Sequence, residues 1–145
     1  MMQLAQRRNR DAVRTLGKIA SEEPVEMLID YADTEDDPQL QTVSLRALGE
    51  IGSHDATQAV ADRLASDDDE VRSQAARALG LLGDTRAIDP LVDALEEDDA
   101  DTVRASAAWA LNQIGTERAL EAVREYADDG AYLVQAEAQK AVEAV

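Results

Sequence analysis

Carboxylates spaced four residues apart recur through this sequence. Glu26 pairs with Asp30, Asp89 with Asp93 and Glu121 with Glu125, while Gln58 and Asp62 hold the corresponding places between the first and second pairs. On a helix an i,i+4 pair shares one face, so each pair is a local concentration of negative charge. Such clusters can serve general acid–base catalysis, metal binding or electrostatic capture of a basic partner. Catalysis would need a carboxyl with a raised pKa inside a closed pocket. Metal chemistry has little else to draw on: there is no Cys and a single His, His54, followed by Asp55. The remaining acidic runs are "TEDDP" at 34–38, "DDDE" at 67–70, "EEDDAD" at 96–101 and "ADDG" at 127–130. None has the D-x-D-x-D-G spacing of a calcium loop, and Asp at the start of a following helix is explained by capping its free N–H groups. No catalytic residue, metal site or cofactor is therefore expected, and His54 reads as a surface residue.

The elements that must position these pairs announce themselves as a repeat. "R-A-L-G-x-x-G" occurs as Arg46 to Gly52 and again as Arg77 to Gly83, 31 residues later. The line becomes Trp109 to Gly115 further on and Arg14 to Ala20 earlier, and a last partial copy runs from Lys140 to Val145. Within a copy, Val71, Ala75, Ala78, Leu79 and Leu82 recur at helical period, Gly83 breaks the helix, and Asp84 is placed to cap a second helix whose Ala87, Ile88, Leu91, Ala94 and Leu95 share a face. Ser21, Ser53 and Thr116 stand at the equivalent turns. The spacing predicts helices near 2–19, 22–33, 38–51, 54–65, 69–82, 85–97, 100–114, 117–128 and 131–144.

One such pair cannot bury its apolar face alone, so the copies must stack. The expected fold is all-α: a right-handed α-solenoid in one domain over 1–145, with repeats at 2–36, 37–67, 68–99 and 100–129 and a half repeat at 130–145. The core must rest on many small contacts, because aromatics are 3% of the chain, Phe is absent and Ala dominates the apolar positions.

With the register known, equivalent positions form ladders. The second helices, expected on the concave side, present Glu26, Gln58, Asp89 and Glu121 in one column and Asp30, Asp62, Asp93 and Glu125 in the next. The first helices present Arg14, Arg46, Arg77, Trp109 and Lys140, expected as a convex ridge with Trp109 as a secondary contact anchor. The sequence thus predicts an acidic concave groove for a basic protein partner, with Glu26, Asp30, Asp62, Asp89, Asp93, Glu121 and Glu125 as its contacts.

Overall charge agrees with that direction. Asp and Glu total 31 against 14 Lys and Arg, a formal charge of −17. A surface so acidic repels nucleic acid and anionic lipid. Acid excess with only two lysines, Lys18 and Lys140, also suggests a salt-rich source such as a halophilic archaeon; a melting temperature that rises between low and molar salt is the expected sign. No apolar run is long enough to cross a membrane, and the polar, basic start from Met1 to Asp11 carries no signal-like stretch, so a cytoplasmic location is expected.

The segment "DEVRSQAARALGLLGDTRAIDPLVDALEEDD" resembles the short HEAT-like repeat of the phycocyanobilin lyases, D-x-x-V-R-x-x-A-A-x-A-L-G-x-I-G-D-x-R-A-I-x-P-L, and the likeness extends along the chain. It implies an α-solenoid and the role of scaffold, adaptor, lyase subunit or enzyme half. Deoxyhypusine hydroxylases of the HEAT-repeat class hold two irons with repeated His-Glu pairs, which a chain with only His54-Asp55 lacks. No residue here matches a chromophore-handling motif, and the basic concave face of HEAT-like DNA glycosylases is the reverse of these acidic columns. A non-catalytic interaction module is the favoured reading. A bilin-lyase-like protein or a regulatory subunit of an enzyme is the alternative. A third reading, a self-assembling unit, follows from the last helix, whose Val134, Ala138, Ala141, Val142 and Val145 have no later helix to cover them.

Overall fold

The computed structural model describes residues 22–34 and 37–144. The helix expected near 2–19, with Arg14 and the Ser21 cap, lies outside them. The described helices are α1 (Glu22–Ala32), α2 (Pro38–Ile51), α3 (Thr57–Asp62), α4 (Asp69–Leu82), α5 (Ile88–Glu97), α6 (Asp101–Ile114), α7 (Glu117–Arg124) and α8 (Tyr132–Glu143). All secondary structure among the described residues is helical.

Two boundaries differ from the periodicity in an instructive way. Two of the second helices do not start as α-helices: His54–Ala56 and Thr85–Ala87 are single 3-10 turns leading into α3 and α5, and α3 decays into another at Arg63–Ala65, whereas α7 starts directly after Thr116. Apolar spacing cannot separate one tight turn from a helical one, because i and i+3 share a face in both. The stops and starts follow the predicted chemistry. Gly52, Gly83 and Gly115 end α2, α4 and α6 with φ of 77°, 65° and 70°, a conformation that strains any side-chain-bearing residue. Ser53, Asp84 and Thr116 then accept backbone N–H groups of the next turn, and Asp37 and Asp68 do so for α2 and α4. Pro38 and Pro90 fall in first turns, where a missing N–H costs nothing.

The core is a double row between the layers. Leu48, Leu79 and Leu111 from first helices and Leu28, Val60, Leu91 and Val123 from second helices are fully buried. Val134, Ala138 and Ala141 of α8 are buried in the same cluster, and Val142 is 43% exposed. Of the residues that suggested self-assembly, Val134, Ala138 and Ala141 are therefore already used against α6 and α7, while Val145 lies outside the described residues.

First helices lie against one another along their lengths, α2 on α4 and α4 on α6, whereas α1, α3, α5 and α7 barely meet. The close approach is made by small residues. A Cβ on Gly49 would stand 3.0 Å from the Ala78 Cα, and one on Gly80 2.8 Å from the Ala110 Cα. A stack with one layer tightly spaced and the other splayed bends toward the tight layer. The first helices therefore line the inner side and the second helices the outer side, the opposite of the expected placement.

Two arginine clamps tie consecutive repeats together, and both were missed at the level of pattern. Arg72 donates to Asp98 at 2.9 Å and to the Ser66 carbonyl at 2.9 Å. Arg104 donates to both carboxylate oxygens of Asp129 and, at 3.0 Å, to the Leu95 carbonyl, with its guanidinium 5.7 Å from the centre of the Tyr126 ring. Each clamp caps the end of one repeat from the first helix of the next, and the Asp it grips caps a backbone N–H, that of Ala100 or Ala131. The signal was present in the recurring Val-Arg of Val71-Arg72 and Val103-Arg104.

A third polar centre lies at the turn between α4 and α5. Asp84, 7% exposed at its side chain, accepts from Arg86, from the Thr57 hydroxyl at 2.8 Å and from the Arg86 N–H at 3.0 Å. These donors, Arg86 first, hold its carboxyl well below the usual range against the opposing effect of burial. Arg104 and the Ala131 N–H depress Asp129 in the same way. Because both folded pKa values lie below the unfolded ones, this stabilisation is complete above the ordinary carboxylate range and is lost as pH falls through it. Helicity followed by circular dichroism should begin to lose thermal stability below about pH 4. Asp84→Asn should be less stable at neutral pH and respond less to acid.

Candidate interaction surface

Every carboxylate of the two second-helix columns reaches solvent. Glu26, Asp30, Asp62, Asp89, Asp93, Glu121 and Glu125 are all exposed, and Gln58 with them. The 3.6-residue period explains this: the residues that alternate with them, Leu28, Val60, Leu91 and Val123, point into the core and force the acids outward. The columns stand on the splayed outer layer, not in a concave groove.

Their charge is not uniform along the stack. Asp89 forms an ion pair with Arg118 of the following repeat. Below the columns, Glu117 is held at 2.8 Å by Arg124, which also donates to the Ala141 carbonyl. Among the described residues, Asp62 accepts only the Gln58 amide, at 2.9 Å. Among the described residues, Glu26, Asp30, Asp62, Asp93, Glu121 and Glu125 have no basic side chain within ion-pair distance, so the unrelieved charge runs along the column and is relieved at Asp89.

The first-helix column is inner and largely self-neutralised. Arg46 pairs with Glu50 at 3.3 Å and Lys140 with Glu137 at 3.0 Å, each within its own helix. Trp109 is half-buried, not free. Its ring lies over Gly80, whose added Cβ would stand 2.8 Å from the ring edge, and the Arg77 guanidinium covers the ring with 5.6 Å to its centre. The missing Cβ at residue 80 makes the seat for the indole, so Trp109 is first a packing residue. His54 is exposed but engaged, with Nε2–H donated to the Leu82 carbonyl at 2.8 Å.

Asn112 occupies the position of Gly49 and Gly80. Its amide donates to the Glu137 carbonyl at 2.9 Å and side chain at 3.0 Å, while its own Oδ1 is buried without a partner. With a side chain between them, α6 and α8 pack less intimately than α4 and α6. Among the described residues, no group of three or more His, Cys, Asp or Glu is placed to hold a metal ion, and no helix is long and apolar enough to cross a membrane.

Stacked helix pairs with arginine clamps between them define an α-solenoid, a repeat scaffold. The chain belongs to the HEAT-repeat family, whose model matches residues 6–75 and 60–143. Among solved structures it is similar to the complex of CpcE and CpcF of phycocyanin lyase from Nostoc sp. PCC7120, with 24% identity and a TM-score of 0.77 over 93% of this chain. That match spans 58% of the lyase chain. An engineered protein is similar at 27% identity and TM-score 0.65, over 93% of this chain and 72% of its own. Human deoxyhypusine hydroxylase shares the fold at 16% identity and TM-score 0.56, over 94% and 78%. No curated protein matches in sequence.

Proposed function

We propose that this HEAT-repeat chain is a non-catalytic interaction scaffold that captures a basic segment of a partner protein on its second-helix face. The observation that carries this reading is the exposure of Glu26, Asp30, Asp62, Asp89, Asp93, Glu121 and Glu125 together on one layer, where among the described residues only Asp89 is paired with a base, while Arg72 and Arg104 are held in clamps and Arg46 and Lys140 in intrahelical pairs. Holding like charges at i,i+4 costs a few tenths of a kcal/mol per pair, a penalty that a cationic partner relieves. Similarity to a lyase solved as a complex of two proteins is in keeping with a protein partner.

The test is charge reversal. Asp62→Lys with Asp93→Lys should leave helicity unchanged and weaken binding of a lysine- and arginine-rich peptide by about tenfold or more. Wild-type binding should weaken with salt. Unchanged affinity in a folded double variant contradicts the proposal. A second reading, a bilin-lyase-like subunit, rests on the same structural likeness; a shifted bilin absorption band on mixing would favour it.

A further inference from the structure

We infer that recognition centres on a groove between α3 and α5 that takes an amphipathic basic segment, one combining arginine or lysine with an apolar side chain one turn away; this rests on the second-helix face being the capturing surface. The groove is an open cavity of about 470 Å³. Its floor is apolar, formed by Ala61, Leu64, Ala65, Pro90 and Ala94. Its acids are Asp62, Asp93, Glu97 and Asp98, the last already held by Arg72.

Two features of the fold open it. The splayed outer layer separates α3 from α5, and the small side chains of Ala61, Ala65 and Ala94 leave the gap unfilled. At the same place α3 gives way to the 3-10 turn Arg63–Ala65.

Charge complementarity identifies the occupant. Along this stack most carboxylates near a base are claimed by it: Asp84 by Arg86, Asp89 by Arg118, Asp98 by Arg72 and Asp129 by Arg104. Asp62, Asp93 and Glu97 have no basic side chain within ion-pair distance among the described residues. Three unneutralised acids around an apolar floor match a guanidinium or ammonium head at the rim with its methylene stem and an apolar neighbour below. A purely cationic chain would leave the floor wet, and an apolar one would leave the rim unpaired. The partner must supply both.

The test compares two short helical peptides of equal charge, one with arginine and leucine on a common face, the other with each leucine replaced by glutamine. Titrated against the whole chain, the leucine peptide should bind about tenfold more tightly. Ala61→Gln with Ala94→Gln, which fills the floor without altering charge, should abolish that preference while retaining native helicity. Equal affinity for the two peptides, or an undiminished preference in the folded floor variant, overturns the groove and leaves the acidic face standing. Binding of neither peptide overturns both.

Discussion

Replacing Gly80 by alanine should lower the stability of the chain by about 1–3 kcal/mol, even though alanine favours helix over glycine by roughly 0.5–1 kcal/mol. The conflict is decided by space. The new Cβ would stand 2.8 Å from the Ala110 Cα and 2.8 Å from the edge of the Trp109 ring. Backbone cannot yield without spreading α4 from α6, and the indole cannot yield without leaving the cover of Arg77. Both losses fall on the layer that sets the spacing of the whole stack. A melting temperature lower by about 4–12 °C is expected, together with a change in Trp109 emission as its seat is disturbed. A stabilised variant would mean that the tight packing of first helices is not what holds repeats together.

Arg104→Ala should cost about 2–4 kcal/mol, an effect as large as that of a core truncation. The guanidinium is 15% exposed, as is Asp129, so removal strands a nearly buried carboxylate. It also uncaps the Leu95 carbonyl and bares the Tyr126 ring. Because Arg104 joins the end of α5 to the turn before α8, amides of α7 and α8 should exchange faster than those of α4. Arg104→Lys should recover only part of the loss, since one ammonium cannot serve both oxygens of Asp129 and a carbonyl. Equal exchange throughout the variant would contradict the clamp.

These two residues also show what the sequence could and could not convey. Gly80 and Arg104 both recur at repeat spacing, so their structural role was legible as recurrence; Gly80's particular duty was not, because close approach is a relation between helices. The helix pairs, the glycine stops and the Ser53, Asp84 and Thr116 caps follow from local chemistry and came through with near-correct bounds. Curvature did not, because it depends on the relative spacing of two layers, which Ala and Gly at the Gly49–Ala78 and Gly80–Ala110 crossings determine. The acidic ladder is exposed on the second helices, and the spacing of the two layers, not any local pattern, decides which side of the arc it faces. The outward position of Trp109 admits two readings, a contact anchor or a ring packed against a neighbouring Arg stem; the ring is half-buried under Arg77, in a seat made by a glycine 29 positions earlier. The groove floor was invisible for the same reason: Ala61 and Ala94 look like weak core residues until α3 and α5 are seen to diverge.

The central claim, that capture occurs on the second-helix face, is tested most directly by mapping a bound arginine- and leucine-bearing peptide on the isotope-labelled chain by nuclear magnetic resonance. The account predicts the largest shifts at Asp62, Asp93, Ala94 and Glu97, with unchanged emission from Trp109, the chain's one tryptophan, on the opposite layer. Shifts gathered at Arg77 and Trp109, with α3 and α5 silent, would contradict it.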